Sequence, residues 1–393
     1  MTKKILHWGH KKFIPEHYQM CTKTVMDNIA DPNITFDKDG VSNYWHEYKE
    51  AEKKYVYKND AGEQELKKAL NLLKTKGKGL KYDCILGVSG GVDSTYLAYF
   101  LKELNIRVLL VHFDYGWNSE LAVKNIENIV LKTGFDLETV VMDWQEFKDL
   151  QRSYFKASVL DLDIPADHMI FGALNRIALK TNVKYIISGH NIVTEYILPK
   201  TWYYKKFDLT NLKNIHKAFG TIPLKKLQSL GYIQSYYYTS YKGIQMMNIL
   251  NFIDYNKAKV KEIITKELDW IDYGGKHYES IFTRFYQGYI LPNKFGIDKR
   301  KAHLSTLICS RQITKEIALE ELNTPPIPAD LAREDKAYVA KKLGFTDKEF
   351  ENILTLKNVP HEFFGSDEKK KRRLQNFVKL IKPLISVFFR RND

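Results

Sequence analysis

The stretch YDCILGVSGGVDSTYLAYF, Tyr82 to Phe100, decides how the rest of the chain is read. The apolar run CILGV stops at Ser89-Gly90-Gly91, and helical spacing resumes in STYLAYFLKEL. Two glycines let the chain turn tightly and bring backbone N–H groups close to a ligand with no Cβ in the way. A helix opening on Asp93 and Ser94 points its positive end at the same spot. A strand, a glycine turn and a helix N-terminus together form an anion cradle.

The pattern repeats downstream. RVLLVHF (107–113), LETVVMD (137–143) and KYIISGH (184–190) read as further strands. They alternate with the helical segments SELAVKNIENIVLKTG, closed by Gly134, and DHMIFGALNRIALK. Such alternation predicts right-handed crossovers and an α/β fold with a parallel sheet covered on both faces. Ligands bind such sheets at the carboxyl ends of the strands. Those ends here are SGGVDS, HFDYGWNSE, MDW and SGHNIVTE. Residues 202–390 show helical stretches and no further strand series. The expected organisation is an N-terminal segment (1–60), a nucleotide-type domain (61–201), a mainly helical substrate region (202–367) and a basic amphipathic tail (368–393).

Composition sets bounds on function. The 393 residues are 44% hydrophobic, enough for a buried core. Three scattered cysteines, Cys21, Cys84 and Cys309, provide no disulfide framework and favour a reducing compartment. The start MTKKILHWGHKKF has no apolar core of a signal peptide, and no apolar run approaches the ~18 residues of a membrane span. A cytoplasmic protein is expected. Of the net charge of +14, residues 368–393 carry half, with nine Lys/Arg against two acids. The body is therefore only mildly basic, which suits a phosphorylated small molecule at least as well as a nucleic acid. In the tail, Leu374, Phe377, Val378 and Ile381 recur at helical spacing beside Lys370, Arg373, Lys379 and Lys382, with Pro383 interrupting. Packing on its own domain is the expected role of that face.

The glycine loop lacks the Gly-Lys-Ser/Thr of a Walker loop. It is SGGxDS, and it resembles the pyrophosphate loop of enzymes that split ATP into AMP and pyrophosphate, such as GMP, NAD and asparagine synthetases. The resemblance implies ATP contacts from Ser89, Gly90, Gly91, Val92, Asp93 and Ser94, with Asp114 and Gly189 at the ends of neighbouring strands. It also implies magnesium held by Asp93 and Glu195. Arg176 can reach the phosphates or serve as a solvated helix arginine.

A second resemblance is narrower. LDWIDYGGKHYESIFTRFYQGYILPNKFGIDKRKAHLSTLICSRQITKEIALEEL (268–322), EDKAYVAKKLGF and DPNITFDKDGV look like the N-acetyl sugar amidotransferases of bacterial surface-glycan assembly. The likeness runs from about residue 20 to 355. It implies conversion of an acetamido sugar to an acetamidino sugar by ATP and ammonia. A cluster of basic residues suits an anionic sugar or nucleotide sugar. Lys276, His277, Glu279, Arg284, Arg300 and His303 are the expected substrate contacts, and Asp93, Lys276 and Arg284 the expected catalytic set. The plain alternative is a charged helix with Phe282, Phe285 and Tyr286 in a core.

No Gly-x-Cys-x-Gly elbow occurs, and Thr2 follows the initiator where an N-terminal nucleophile would need cysteine. Glutamine hydrolysis is therefore expected from partners. The resemblance implies a glutaminase subunit and a barrel-shaped subunit that channels ammonia, like the two halves of imidazole glycerol phosphate synthase. One departure stands out. Relatives carry Cys-x-x-Cys twice around FDxxGV, a zinc spacing, whereas Cys21 here is joined by Thr24, Ser42 and Trp45. No zinc is expected. The rival readings are a pyrophosphate-loop tRNA-modifying enzyme and a non-catalytic nucleotide-binding partner.

Overall fold

The computed structural model describes residues 17–57, 59–373 and 376; most of the expected amphipathic tail lies outside them. Five parallel strands form one sheet: β1 (Cys84–Val88), β2 (Val108–Asp114), β3 (Asp136–Val141), β4 (Tyr185–Ile187) and β5 (Gln245–Met247). Their order is β3-β2-β1-β4-β5. β1 is central, with Val88 beside His112 of β2 and Leu86 beside Ile187 of β4. The chain winds outward from β1 to β3, then returns to the other side of β1. That reversal opens a crevice at the carboxyl ends of β1 and β4, where such sheets bind ligands.

Strand alternation explains the two covered faces. Ile85, Leu109, Val111 and Ile186 pack against Leu174, Ile177 and Ala178 of the helix Ile164–Lys180. Cys84, Leu86, Val88 and Leu110 pack on the other side against Leu97, Leu101, Ile126 and Ile264. The edge strand β3 is mostly exposed, with Val141 at 68%.

β5 corrects the expectation that no strand follows residue 202. It has only three residues, two of them exposed, and pairs only with β4. So short a run carries no periodicity to read.

The C-terminal region is helical. Ile281–Phe285 runs into a π-helical segment, Tyr286–Phe295, followed by the helices Lys299–Cys309, Lys315–Leu322, Ala329–Leu343 and Asp347–Thr355. Trp117, Phe155, Phe282, Phe285 and Phe350 form its aromatic core. The N-terminal segment packs on the helix Lys299–Cys309: Val25 N–H donates to Ser305 Oγ (3.2 Å), and Lys301 pairs with the fully buried Asp27. In the knuckle the Ser42 N–H donates to Cys21 Sγ at 3.2 Å, and Lys315 Nζ donates to the Cys21 carbonyl at 2.6 Å. No helix among the described residues is long and apolar enough to cross a membrane.

Two buried histidines make the fold acid-sensitive. His361 stacks on Tyr204, with ring centroids 4.3 Å apart, and its Nε2 accepts from the Asp161 N–H at 3.1 Å. Protonation would set two N–H groups against each other. Burial pushes His361 and the fully buried His168 down to about 4. The unfolded chain therefore binds more protons between pH ~6.5 and ~4, and stability falls as pH falls through that window, by on the order of 3 kcal/mol per histidine. Urea unfolding across this range checks it, and His361→Gln should flatten the slope.

Candidate active site

The loop between β1 and the helix Val92–Glu103 is held by its carbonyls. Gly90 stands at φ +78°, and a Cβ there would lie 2.5 Å from the Ala122 carbonyl oxygen. Trp270 Nε1 donates to the Gly90 carbonyl at 2.9 Å. Ser94 Oγ (3.2 Å) and Thr95 Oγ1 (2.7 Å) donate to that of Gly91. The first N–H groups of any helix lack intrahelical acceptors; that of Val92 meets the Tyr273 oxygen, and those of Asp93 and Ser94 follow it in the first turn. Ser89 Oγ accepts from the Gly91 N–H at 3.3 Å. Tyr273 and Glu279 approach Gly91 from above.

Two carboxylates meet beside this loop. Asp93 Oδ1 accepts a short bond from the Tyr255 hydroxyl and a weaker one from Asn191 Nδ2 at 3.4 Å. Burial, then the charge of Glu195, push its pKa up. Burial acts on Glu195 in the same direction, but Lys276 at 2.9 Å, together with His190 and His277, outweighs it and holds Glu195 well below the usual range. His190 Nδ1 lies 3.4 Å from the other Glu195 oxygen. Gly189 lets the end of β4 approach, since a Cβ there would lie 3.2 Å from Asp93 Cβ. The chemistry of the pair suits magnesium, a hard cation that takes one or two carboxylates and completes its shell with phosphate oxygens and water. Asp93 Oδ2 and Glu195 are the groups that would hold it. No group of three metal-ligating side chains occurs among the described residues.

Above the carboxylates, His303 Nδ1 lies 3.0 Å from the Thr194 carbonyl and 3.3 Å from Lys276 Nζ. A carbonyl only accepts, so Nδ1 is assigned the hydrogen and Nε2 keeps its lone pair. Burial, followed by Lys276 and Lys257, holds His303 neutral, well below 6.5. His277, at φ +65°, sets Nδ1 3.4 Å from Glu279 Oε1. Asp114 Oδ1 accepts from the Gly116 N–H (2.9 Å) and Asn118 Nδ2 (3.4 Å), shaping the loop after β2.

Three arginines lie elsewhere. Arg284 forks Asp335 at 2.8 and 2.6 Å, with 15% and 5% of the two side chains exposed. It ties two helices together, with both sides of its fork taken by Asp335. Arg300 forks Asp298 and donates to the carbonyls of Glu321 and Thr324. It too is engaged by partners within the fold. Arg176 donates to Gln228 Oε1 at 3.0 Å, away from the loop.

Lys257 and Tyr255 were missed. Lys257 is enclosed beside Asp93, Glu195 and Lys276, and burial lowers its pKa. Its ammonium has no hydrogen bond or ion pair within the described residues. Nothing local marks it among 61 Lys and Arg.

A strand–SGGVDS–helix loop at the crevice of a parallel sheet defines a pyrophosphate-loop nucleotide domain. Family comparison agrees: residues 83–169 match the model described as queuosine biosynthesis protein QueC. Residues 279–379 match the LPS biosynthesis protein WbpG-like, C-terminal domain. An uncharacterized protein, MJ1599, of Methanocaldococcus jannaschii is 23% identical over 67% of this chain and 80% of its own. A tRNA(Ile)-lysidine synthase of Chlamydia pneumoniae is 39% identical over 17% of this chain and 22% of its own. A tRNA-specific 2-thiouridylase of Fusobacterium nucleatum is 28% identical over 46% of this chain and 50% of its own. The chain thus spans half or less of these two tRNA-modifying relatives. NMN synthetase from Francisella tularensis aligns with 77% of this chain and 99% of its own, at TM-score 0.36 and 14% identity. The protein is a pyrophosphate-loop, ATP-using enzyme with a WbpG-like C-terminal domain.

Gly90→Ala should abolish magnesium–pyrophosphate binding while leaving the circular dichroism intact. Lys257→Met should weaken that binding ~10- to 100-fold, the ~1.5–3 kcal/mol of a charge-assisted contact. Calorimetric titration decides, and unchanged affinity in Lys257→Met would mean that this lysine faces something else.

Proposed function

We propose that the protein converts the acetamido group of an anionic sugar or nucleotide sugar to an acetamidino group. It forms the new C–N bond with ammonia and cleaves ATP to AMP and pyrophosphate. One observation carries this reading: two residues of the WbpG-like region reach the crevice, Glu279 beside Gly91 of the pyrophosphate loop and His303 against the Thr194 carbonyl past the end of β4. A sugar held by that region would lie beside the α-phosphate.

The chemistry follows from the charges. An amide carbonyl is a poor electrophile, and ammonia displaces its oxygen only after that oxygen becomes a leaving group. The amide oxygen attacks the α-phosphorus, and the bond from that phosphorus to the bridging oxygen breaks. The N–H groups of the loop and Lys257 receive the departing pyrophosphate. Magnesium bound by Asp93 and Glu195 would neutralise phosphate charge. Ammonia then adds to the adenylyl imidate carbon. Neutral His303, with Nε2 unprotonated, takes the proton, and AMP leaves with the amide oxygen. Lys276 and His277 are the proposed sugar-side contacts. Residues 202–367 would form the substrate region, and ammonia would come from a glutaminase and its barrel-shaped partner.

A second reading, tRNA modification, draws on the tRNA-modifying relatives. Sulfur transfer would need a reactive cysteine near the nucleotide. Burial pushes Cys309 up to about 12 and Cys84 higher still; burial acts on Cys21 the same way but hydrogen bonds from Ser42 and Thr24 bring it below the usual thiol range, in the buried N-terminal knuckle.

Substrate carrying heavy oxygen in its acetamido carbonyl should deliver that label to AMP and leave pyrophosphate unlabelled. Candidate UDP-linked acetamido uronic acids can be screened first for AMP release with ammonium chloride. Label in inorganic phosphate, with ADP as co-product, would overturn the mechanism. AMP release that depends on tRNA instead would favour the second reading.

A further inference from the structure

One donor of the pyrophosphate loop is already engaged by a side chain. The Val92 N–H, first in the helix Val92–Glu103, meets the Tyr273 oxygen. Tyr273 is set there by its neighbour: its ring packs edge-on against Trp270, with centroids 5.5 Å apart, and Trp270 is itself bound to Gly90. Glu279 reaches the same place from the other end of the segment. A Cβ on Gly91 would lie 3.4 Å from the Tyr273 hydroxyl and 4.0 Å from Glu279 Oε1. The Glu279 backbone is pinned, since its carbonyl accepts from the Ser119 N–H at 2.9 Å.

The two side chains are complementary. Glu279 Oε1 faces His277 Nδ1 at 3.4 Å, but Oε2 is shut off from solvent and has no hydrogen-bond partner among the described residues. Burial works against the charge of Glu279, yet His277 outweighs it and holds the carboxyl below its usual range. An ionised carboxylate only accepts, so Oε2 is a buried acceptor that lacks a donor, which is costly. Burial, then the charge of Glu279, raise the Tyr273 hydroxyl, so its oxygen keeps a hydrogen to donate. A donor and an acceptor thus stand on either side of Gly91, with the donor's oxygen turned to Val92.

We propose that Tyr273 determines what the pyrophosphate loop accepts, by exchanging partners when phosphate arrives. A phosphate oxygen takes the Val92 N–H, and the Tyr273 hydroxyl turns to donate to Glu279 Oε2. No covalent bond changes. The displacing ligand must supply a better acceptor than a phenol, and charge-assisted bonds are about twice as strong as neutral ones. Pyrophosphate spans several loop donors and meets that demand, whereas inorganic phosphate, reaching fewer of them, leaves Tyr273 in place. The new bond to Oε2 also offsets the charge of Glu279 beside the incoming phosphate. The proposal rests on the loop's being a phosphate site and involves neither sugar nor ammonia.

Calorimetric titration of the full chain with magnesium pyrophosphate, and with inorganic phosphate in competition, tests the exchange. Tyr273→Phe removes the hydroxyl and keeps the ring against Trp270. It should bind inorganic phosphate about 3- to 10-fold more tightly than the wild type, the range of one neutral hydrogen bond. Pyrophosphate affinity should change less, because the variant also loses the bond to Glu279, so the preference for pyrophosphate narrows. An unchanged preference would overturn the proposal. Weaker inorganic phosphate binding would overturn it too, making the hydroxyl a plain phosphate donor. Crystals of the wild type with magnesium pyrophosphate should show a phosphate oxygen on the Val92 N–H and the Tyr273 hydroxyl on Glu279 Oε2. Tyr273 still against Val92 in that complex would overturn the proposal whether or not the variant folds. Those outcomes count against the exchange alone, whereas no pyrophosphate binding by either protein would overturn it together with the reading of the loop.

Discussion

The hydrogen bond from the Trp270 indole to the Gly90 carbonyl organises the rest of the site. It turns one carbonyl of the pyrophosphate loop away from the crevice, leaving backbone N–H groups to face an anion. The donor lies 180 residues along the chain, at the head of the segment that brings in Tyr273, Lys276 and Glu279. Asn125 reinforces the join, accepting from the Ile271 N–H at 2.8 Å and donating to the Ile271 carbonyl at 2.9 Å. The pyrophosphate loop and the segment from Trp270 to Glu279 are therefore positioned by one set of bonds, and neither can shift without the other.

Charge follows the same logic. Asp93 and Glu195 face Lys257 and Lys276 in an enclosed space, two negative against two positive. Only Lys276 makes a direct pair, with Glu195. Lys257 is held near the carboxylates without touching either, which is costly for the empty protein and useful for one that receives phosphate. Tyr255 fixes one oxygen of Asp93 and leaves the other to the crevice.

Much of this was legible in the sequence because local patterns reported it. Continuous apolar runs marked β1, β2 and β4, and Gly134 closed its helix in the left-handed conformation at φ 70°. The loop was recognisable because its glycines, hydroxyls and acid are contiguous. What escaped depends on contacts across long separations. Arg284 looked like a free cation, but Asp335, 51 residues away, takes both sides of its fork. Lys257 has the reverse history: an ordinary helix lysine by pattern, it is enclosed because Tyr255 and the helix it begins pack on Val92–Glu103. Asp161, Asp163 and Asp167 lie within seven residues, yet only the fold shows that Lys206 satisfies two of them and not the third.

The N-terminal knuckle shows how a site can be held in place from outside. The helix Lys299–Cys309 sets His303 against Thr194 and Lys276, while Lys301 and Ser305 face the segment around Thr24 and Asp27. Its rotation therefore sets where His303 points. The knuckle is fixed by a buried Asp27–Lys301 pair, a hydroxyl bond to Val25 and the Lys315 bond to the Cys21 carbonyl. Removing one partner of a buried ion pair leaves the other uncompensated, at a cost of about 3–5 kcal/mol. Asp27 has further duties, accepting from the Tyr18 hydroxyl at 3.0 Å and the Ala30 N–H at 2.7 Å. A change at Asp27 would thus act on the candidate active site through the turn of one helix, although its own partners, Tyr18, Ala30 and Lys301, lie outside the nucleotide loop.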